Sequence, residues 1–413
     1  MKKLLVILFA LALCCACLSA VAVEETVVDA SGLFEYVVRE DGSAELISYL
    51  GPDGRVLIPN ELDGHPLTAV RQNPFYYANT ASVKACAAAV AKDHPYLATI
   101  NNVLFGKTDW KLIAYPTTLT DTEYQIPEGI EIIGDHAFQN CRNLRSVSIP
   151  NSVTSIGKDA FKACRALTSV SIPGGVTSIG AGAFAHCEKL KSVDIPASVS
   201  MIGVEAFRDC DQLVEVILPD GIGAVPDSLF FACGSLASAV IPDGVTVIGN
   251  YAFGNCKSLT RIRLPSRLTE IGNGAFYHCD SFTGITIPDS VTSIGNSAFQ
   301  FCANLTSVEI PGSVVSIGKE AFSNDKNLSS MIIPEGVESI GTNAFYSCGN
   351  LSEVTIPDSV TSIGDYAFEN CSPELVIQVG FGSYAESYCM KNALNYKTND
   401  DTYGDAPTDW LTH

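Results

Sequence analysis

Ile287-Pro288-Asp289-Ser290-Val291-Thr292-Ser293-Ile294-Gly295, followed by Ala298-Phe299 and Cys302, decides the fold, because the stretch returns every 23 residues. Its proline recurs from Pro127 and Pro150 through to Pro357. Its phenylalanine runs without a miss from Phe138 to Phe368. Its cysteine occupies Cys141, Cys164, Cys187, Cys210, Cys233, Cys256, Cys279, Cys302, Cys348 and Cys371, with one lapse at Asp325. Eleven units therefore span residues 127–379. A fixed period of this length means a solenoid, in which each unit buries its apolar face against its neighbours.

One unit reads as follows. Leu144-x-x-Val147-x-Ile149 alternates apolar and polar, a short strand with Val147 and Ile149 facing inward. Pro150 ends it, since proline cannot donate within a ladder. Val153 and Ile156 return to the core, and Gly157 is expected to make a tight bend at positive φ. Ala160, Phe161 and Cys164 are expected on one face of a short helical turn. Eleven stacked strands, ~4.8 Å apart, would make a parallel sheet roughly 50 Å long.

This unit resembles the BspA-type leucine-rich repeat of bacterial surface proteins. The resemblance is strong over 127–379 and weak over 34–126, where Val56-Leu57-Ile58-Pro59 and Val70 before Phe75 are similar to the family's degenerate first repeat. It implies an α/β leucine-rich-repeat solenoid with a parallel β-sheet on the concave face and short helical turns on the convex side. Residues 23–126 then form an N-terminal cap, with Val103-Leu104-Phe105 and Leu112-Ile113-Ala114-Tyr115-Pro116 as a β-hairpin insert. Residues 380–396 become a C-terminal capping helix, and the acidic residues 397–413 a disordered tail. One departure is clear. Where the wider leucine-rich pattern has Asn or Cys, this chain has Ser152, Gly175, Ser198 or Gly221, so asparagine-ladder ligand rules do not transfer.

The rest of the chain bounds the function. Its 413 residues are 47% hydrophobic and only 17% charged, which excludes disorder. The net charge of −20 repels phosphate backbones, so nucleic acid is not an expected partner. Lys2 and Lys3 precede the apolar run Leu4 to Leu18, and Ala20-Val21-Ala22 offers a cleavage site. Residues 1–22 read as a secretory signal peptide, too short to be a spanning anchor. The rival reading is a lipoprotein signal ending at Cys17, which would leave a lipid anchor there. Either way the expected location is secreted or extracellular at the cell surface, with no transmembrane span.

No residue set suggests catalysis, and no cofactor or metal is expected. One cysteine per coil cannot supply a tetrahedral site, and parallel Cα–Cβ vectors ~5 Å apart do not suit disulfides. Gly380-Phe381-Gly382-Ser383-Tyr384-Ala385 is formally a dinucleotide fingerprint, but the strand that should follow the helix is not visible in the sequence. Gly312 to Gly318-Lys319 has the wrong spacing for a phosphate loop, and Glu320 replaces its Ser or Thr. His186 and His278 lie four repeats apart and cannot share a metal. Asp220, Asp243, Asp289, Glu335 and Asp358 give one carboxylate per coil, with Ser266 and Gly312 interrupting them, and read as solvated turns. Asn304, Asn327 and Asn350 head sequons that fall at one repeat position.

A binding function would use the outward strand positions. Most carry Ser or Thr, but the middle repeats place Glu215 and Ile217, then Val240, then Arg261 and Arg263 there, with Val214 alongside. Arg is favoured at interface hot spots, so these six are the candidate partner-binding residues. The reading is an adhesin-like binding protein that recognises a protein or glycan through the concave face. The alternative is a structural envelope or spacer protein without a specific ligand.

Overall fold

The structure is a computed structural model that describes residues 25–77 and 82–398. The export segment, the Cys17 reading and the tail beyond 398 lie outside the described residues.

Each repeat contributes two short strands. The first is Ser146–Ser148, Ser169–Ser171, Ser192–Asp194 and their successors. The second is Ser155–Ile156, Ser178–Ile179, Met201–Ile202 and theirs. Both pair in parallel with copies 23 residues away, as Val170 with Val193 and Ile156 with Ile179. Val147 is buried between two serines that face outward, because side chains alternate across a strand. The proline between the two strands does more than end the first. Its carbonyl accepts the N–H three residues on, as from Val153 to Pro150 at 3.1 Å, and so closes a turn.

The third side of each coil corrects the expectation of helical turns. It is built from tight turns, and Tyr384–Lys391 is the one helix among the described residues. Asp159, Phe161 and Ala163 donate their N–H groups to Ala181, Ala183 and Ala185 of the next coil at 2.7–2.8 Å. A helix would turn those donors back along its own axis. Pointing them at the neighbour requires left-handed backbone at Asp159 (φ 51°) and Ala163 (φ 58°). Glu205 and Asp209, Ser228 and Ala232, and Tyr251 and Asn255 repeat the device.

Gly157 is not at positive φ, contrary to the reading above. A Cβ there would lie 2.7 Å from the Asp135 nitrogen, and one at Gly180 would lie 2.5 Å from the Gly157 carbonyl carbon. The glycine column exists because successive backbones touch there, leaving no room for a side chain. Next to it runs an amide ladder that the repeat pattern did not reveal. Asp227, Asn250, Asn273 and Asn296 each accept the backbone N–H 23 residues on, at 2.7–2.9 Å.

The phenylalanines form one buried pile with ring centroids 4.8 Å apart between Phe138 and Phe161 and up to 5.8 Å between Phe207 and Phe230. Tyr115 extends it at the start, 5.2 Å from Phe138. Tyr388 of the helix closes it edge-on at 6.4 Å from Phe368. The Tyr388 hydroxyl accepts from the Ala367 N–H and donates to the Gly364 carbonyl, both at 3.3 Å.

The ends differ from the expected boundaries in two places. Lys111–Ala114, the second strand of the expected hairpin insert, pairs in parallel with Ile132–Ile133 and so begins the second ladder. Tyr396–Thr398 pairs in parallel with Val376–Val379, so Lys397 and Thr398 belong to the sheet rather than to a tail. A separate apolar cluster, with Phe34, Tyr36, Leu46, Tyr49 and Phe75, fills the N-terminal cap. It meets the repeats where Tyr76 stacks on the buried His136 at 3.8 Å and the Asn73 Nδ2 donates to the His136 carbonyl at 2.9 Å.

Candidate binding surface

Strand pairing brings five of the six sequence-predicted residues into two rows. Ile217, Val240 and Arg263 occupy one row on three adjacent strands, and Glu215, Ser238 and Arg261 the other. Ile217 is 67% and Val240 54% exposed, although β-branched residues on a solvated face carry no packing role. Arg263 is engaged with Asp243 at 3.0 Å, and both side chains are largely exposed. A screened surface pair of this kind contributes little, so Arg263 is less free for a partner than its sequence position suggests. Val214 stands apart from these rows. It precedes the strand, at a corner where its N–H donates to the Lys191 carbonyl at 3.3 Å. On one side the patch continues into a groove lined by Ser169, Ser171, Ser192, Asp194, Glu215 and Ile217.

The patch adjoins a break in the second ladder, at the coil where Pro226 stands in place of the repeat glycine. The second ladder is two seven-stranded sheets, one ending at Met201–Ile202 and the other starting at Ala224–Val225. Elsewhere the repeat glycine N–H donates across coils, as Gly203 to Ile179 and Gly249 to Val225 at 2.8 Å. Pro226 has no N–H to give to Ile202. Gly223 likewise makes no bond to Ser200 among the described residues, while Thr246 does donate to Gly223 at 3.0 Å.

The cysteines are positioned as donors. From Cys164 onward each thiol reaches the carbonyl of the phenylalanine 26 residues earlier, as Cys164 to Phe138 at 3.1 Å and Cys256 to Phe230 at 3.2 Å, while Cys141 reaches the Tyr115 carbonyl at 3.8 Å. Burial pushes these thiols well above their ordinary range, which disfavours the nucleophilic thiolate. Asp325 takes the cysteine's place in one coil. Its Oδ1 accepts the Cys302 N–H at 2.8 Å, while its buried Oδ2 has no partner.

The remaining motifs stay apart. His186 contacts Asp209 at 3.3 Å and His278 contacts Asp280 at 2.7 Å, each at its own turn. Asn350 donates to Asn327 at 3.2 Å and Asn327 to Asn304 at 3.4 Å, so the three sequon asparagines form a surface row. The strand judged missing after the Gly380 motif is present, as Tyr396–Thr398. Even so, the Glu386 carboxylate accepts the Gly382 N–H at 2.7 Å and occupies the helix start where a phosphate would need to sit. Among the described residues no group of three or more His, Cys, Asp or Glu is arranged to hold a metal. No helix among them is long and apolar enough to cross a membrane.

The model of the BspA-type leucine-rich repeat region matches residues 114–237, 223–348 and 292–398, well over half of the chain. The chain belongs to the BspA-type leucine-rich repeat family. Among solved structures, a leucine-rich repeat protein from Bacteroides ovatus is 26% identical over 89% of this chain and 98% of that one, with a TM-score of 0.48. A leucine-rich cell surface protein from Faecalibacterium prausnitzii is also 26% identical, covering 90% and 97%, with a TM-score of 0.41. The pneumococcal vaccine antigen PcpA is 15% identical over 91% and 99%, with a TM-score of 0.51, and has the same fold. No curated protein matches the sequence.

Proposed function

We propose that this protein is a secreted or surface-attached binding protein that takes a protein partner on the outward face of its first-strand sheet, in the middle repeats. The observation that carries the reading is the exposed Ile217–Val240 step, continued by Arg263, on a face whose other outward positions are mostly Ser, Thr and acids; Ile332 is exposed in the same column but its neighbours there, Glu309 and Thr355, are polar. The inward residues of the same strands, Val216 and Ala239, are buried in the core, so these two outward side chains are not part of it. Apolar contact beside an arginine is a common composition for an interface centre. Membership of the BspA-type leucine-rich repeat family, and an N-terminal segment that reads as an export signal, agree with it.

The test is capture by the immobilised mature chain of extracellular-matrix and bacterial-surface material, followed by affinity measurement on what is retained. Ile217→Asp with Val240→Asp should weaken binding by ~2 kcal/mol or more, about 30-fold. Ser169→Ala, at the Ser-rich end, should change nothing. If the double variant binds as the parent does, the patch is repeat drift and the spacer reading replaces this one.

A further inference from the structure

A second surface has the opposite character. Residues 142–191 hold seven basic and two acidic side chains, in a chain whose net charge is −20. Arg142, Arg145 and Lys189 converge on a groove that also takes Thr120, Thr122 and Thr168, at the corner between the turns and the first strands. No acidic residue lines it.

Hydrogen bonding fixes the arrangement. The Arg145 N–H donates to the Thr122 carbonyl at 2.7 Å, Thr168 to Arg145 at 3.0 Å, and Lys191 to Thr168 at 3.0 Å. These residues therefore stand in register on four successive coils, roughly 15 Å from first to last at one strand spacing per coil. Two of the nearby acids are already engaged, and the exposed Glu123, beside Thr122, does not line the groove. Glu188 contacts Arg165 at 3.2 Å, and Asp121 accepts from the Tyr115 hydroxyl at 3.3 Å. Arg142, Arg145 and Lys189 form no ion pair among the described residues, and Arg142, Asn143, Arg145 and Lys189 are exposed. The Asn143 Nδ2 donates to the Leu119 carbonyl at 3.3 Å, which holds its amide in one orientation.

From this geometry we infer that the corner groove of the first three repeats binds an anionic polysaccharide. Two arginines on one coil and a lysine two coils on, roughly 10 Å away along the stack, suit a chain with repeated acid groups better than a single small anion. An arginine fork takes a carboxylate or sulfate through two parallel bonds. Threonine hydroxyls and the Asn143 amide match sugar hydroxyls. The groove's lining has no aromatic or large apolar side chain to anchor a peptide, which protein interfaces use at their centres. The site lies away from the Ile217–Val240 step and does not depend on it.

The experiment measures binding of the full mature chain to hyaluronan, to dextran sulfate and to neutral dextran. Arg142→Ala with Arg145→Ala and Lys189→Ala is compared with the charge-matched Lys257→Ala, Arg267→Ala and Lys326→Ala. Hyaluronan or dextran sulfate should bind, more weakly as salt is added, and neutral dextran should not. Which of the two binds tighter assigns the acid group as carboxylate or sulfate. The groove variant should lose roughly tenfold or more, the worth of a few partly screened ion pairs. The control variant should match the parent, and both should melt as the parent does. Absence of binding to either polyanion, or equal loss in both variants, overturns the inference. So does equally tight binding of poly-glutamate that is lost in the same groove variant, since the ligand class would then be an acidic peptide.

Discussion

At the scale of the residue, the cysteine column shows what a period conceals. Its spacing is plain in the sequence, and so is its unsuitability for disulfides. Its role as donor to a phenylalanine carbonyl is not, because donor and acceptor lie 26 residues apart, on neighbouring coils. Asp325 is the informative exception. Burial holds its carboxyl well above the usual carboxylate range. The neutral acid is favoured in the folded chain, whereas the unfolded chain ionises near the ordinary value of 3.8. The native state then binds the extra proton, so this group's contribution to stability falls as pH rises from that value towards the raised one. Asp325→Cys should remove that slope and raise stability at pH 7 by about 1–3 kcal/mol, the cost of a buried group left without a partner. Denaturant unfolding at pH 5 and pH 8 checks it. A variant less stable than the parent at both would contradict the account.

At the scale of the element, strands were legible and turns were not. The apolar–polar alternation of Leu144 to Ile149 gives the first strand directly. The Ala160–Cys164 segment has helical spacing, yet inter-coil bonds to the next repeat outcompete a helix of one turn, which has a costly nucleus. The same competition moved positive φ from Gly157 to Asp159 and Ala163. The seam at Pro226 was visible as one substitution, while its consequence needed the ladder. Two cross-coil bonds are missing there, so this is where the stack should open first. Hydrogen exchange should run at least about tenfold faster for the amides of 222–225 than for 245–249, the worth of one ladder hydrogen bond. Equal protection on both stretches would show the seam to be closed.

At the scale of the whole molecule, the repeats form one pile of coils whose core columns are each a ladder, with the N-terminal cap built on its own apolar cluster. Repeats contact only their neighbours, so stability is set locally and the outward residues are free to diverge. The Ile217–Val240 step was legible as a departure from a Ser/Thr pattern. The basic corner was not, because Arg142 and Lys189 are 47 residues apart in sequence and line one groove only through the coil register. Both surfaces presuppose a sealed, unreactive core, and the thiols report on that core most directly. Alkylation of the purified protein, folded and then unfolded, should leave the nine buried column cysteines unlabelled until unfolding, and every one should be a free thiol. Cys371, half-exposed in the last coil, should label slowly before the rest. Disulfides between adjacent repeats, or rapid labelling of Cys210, Cys233 or Cys256 in the folded protein, would contradict the stacked core.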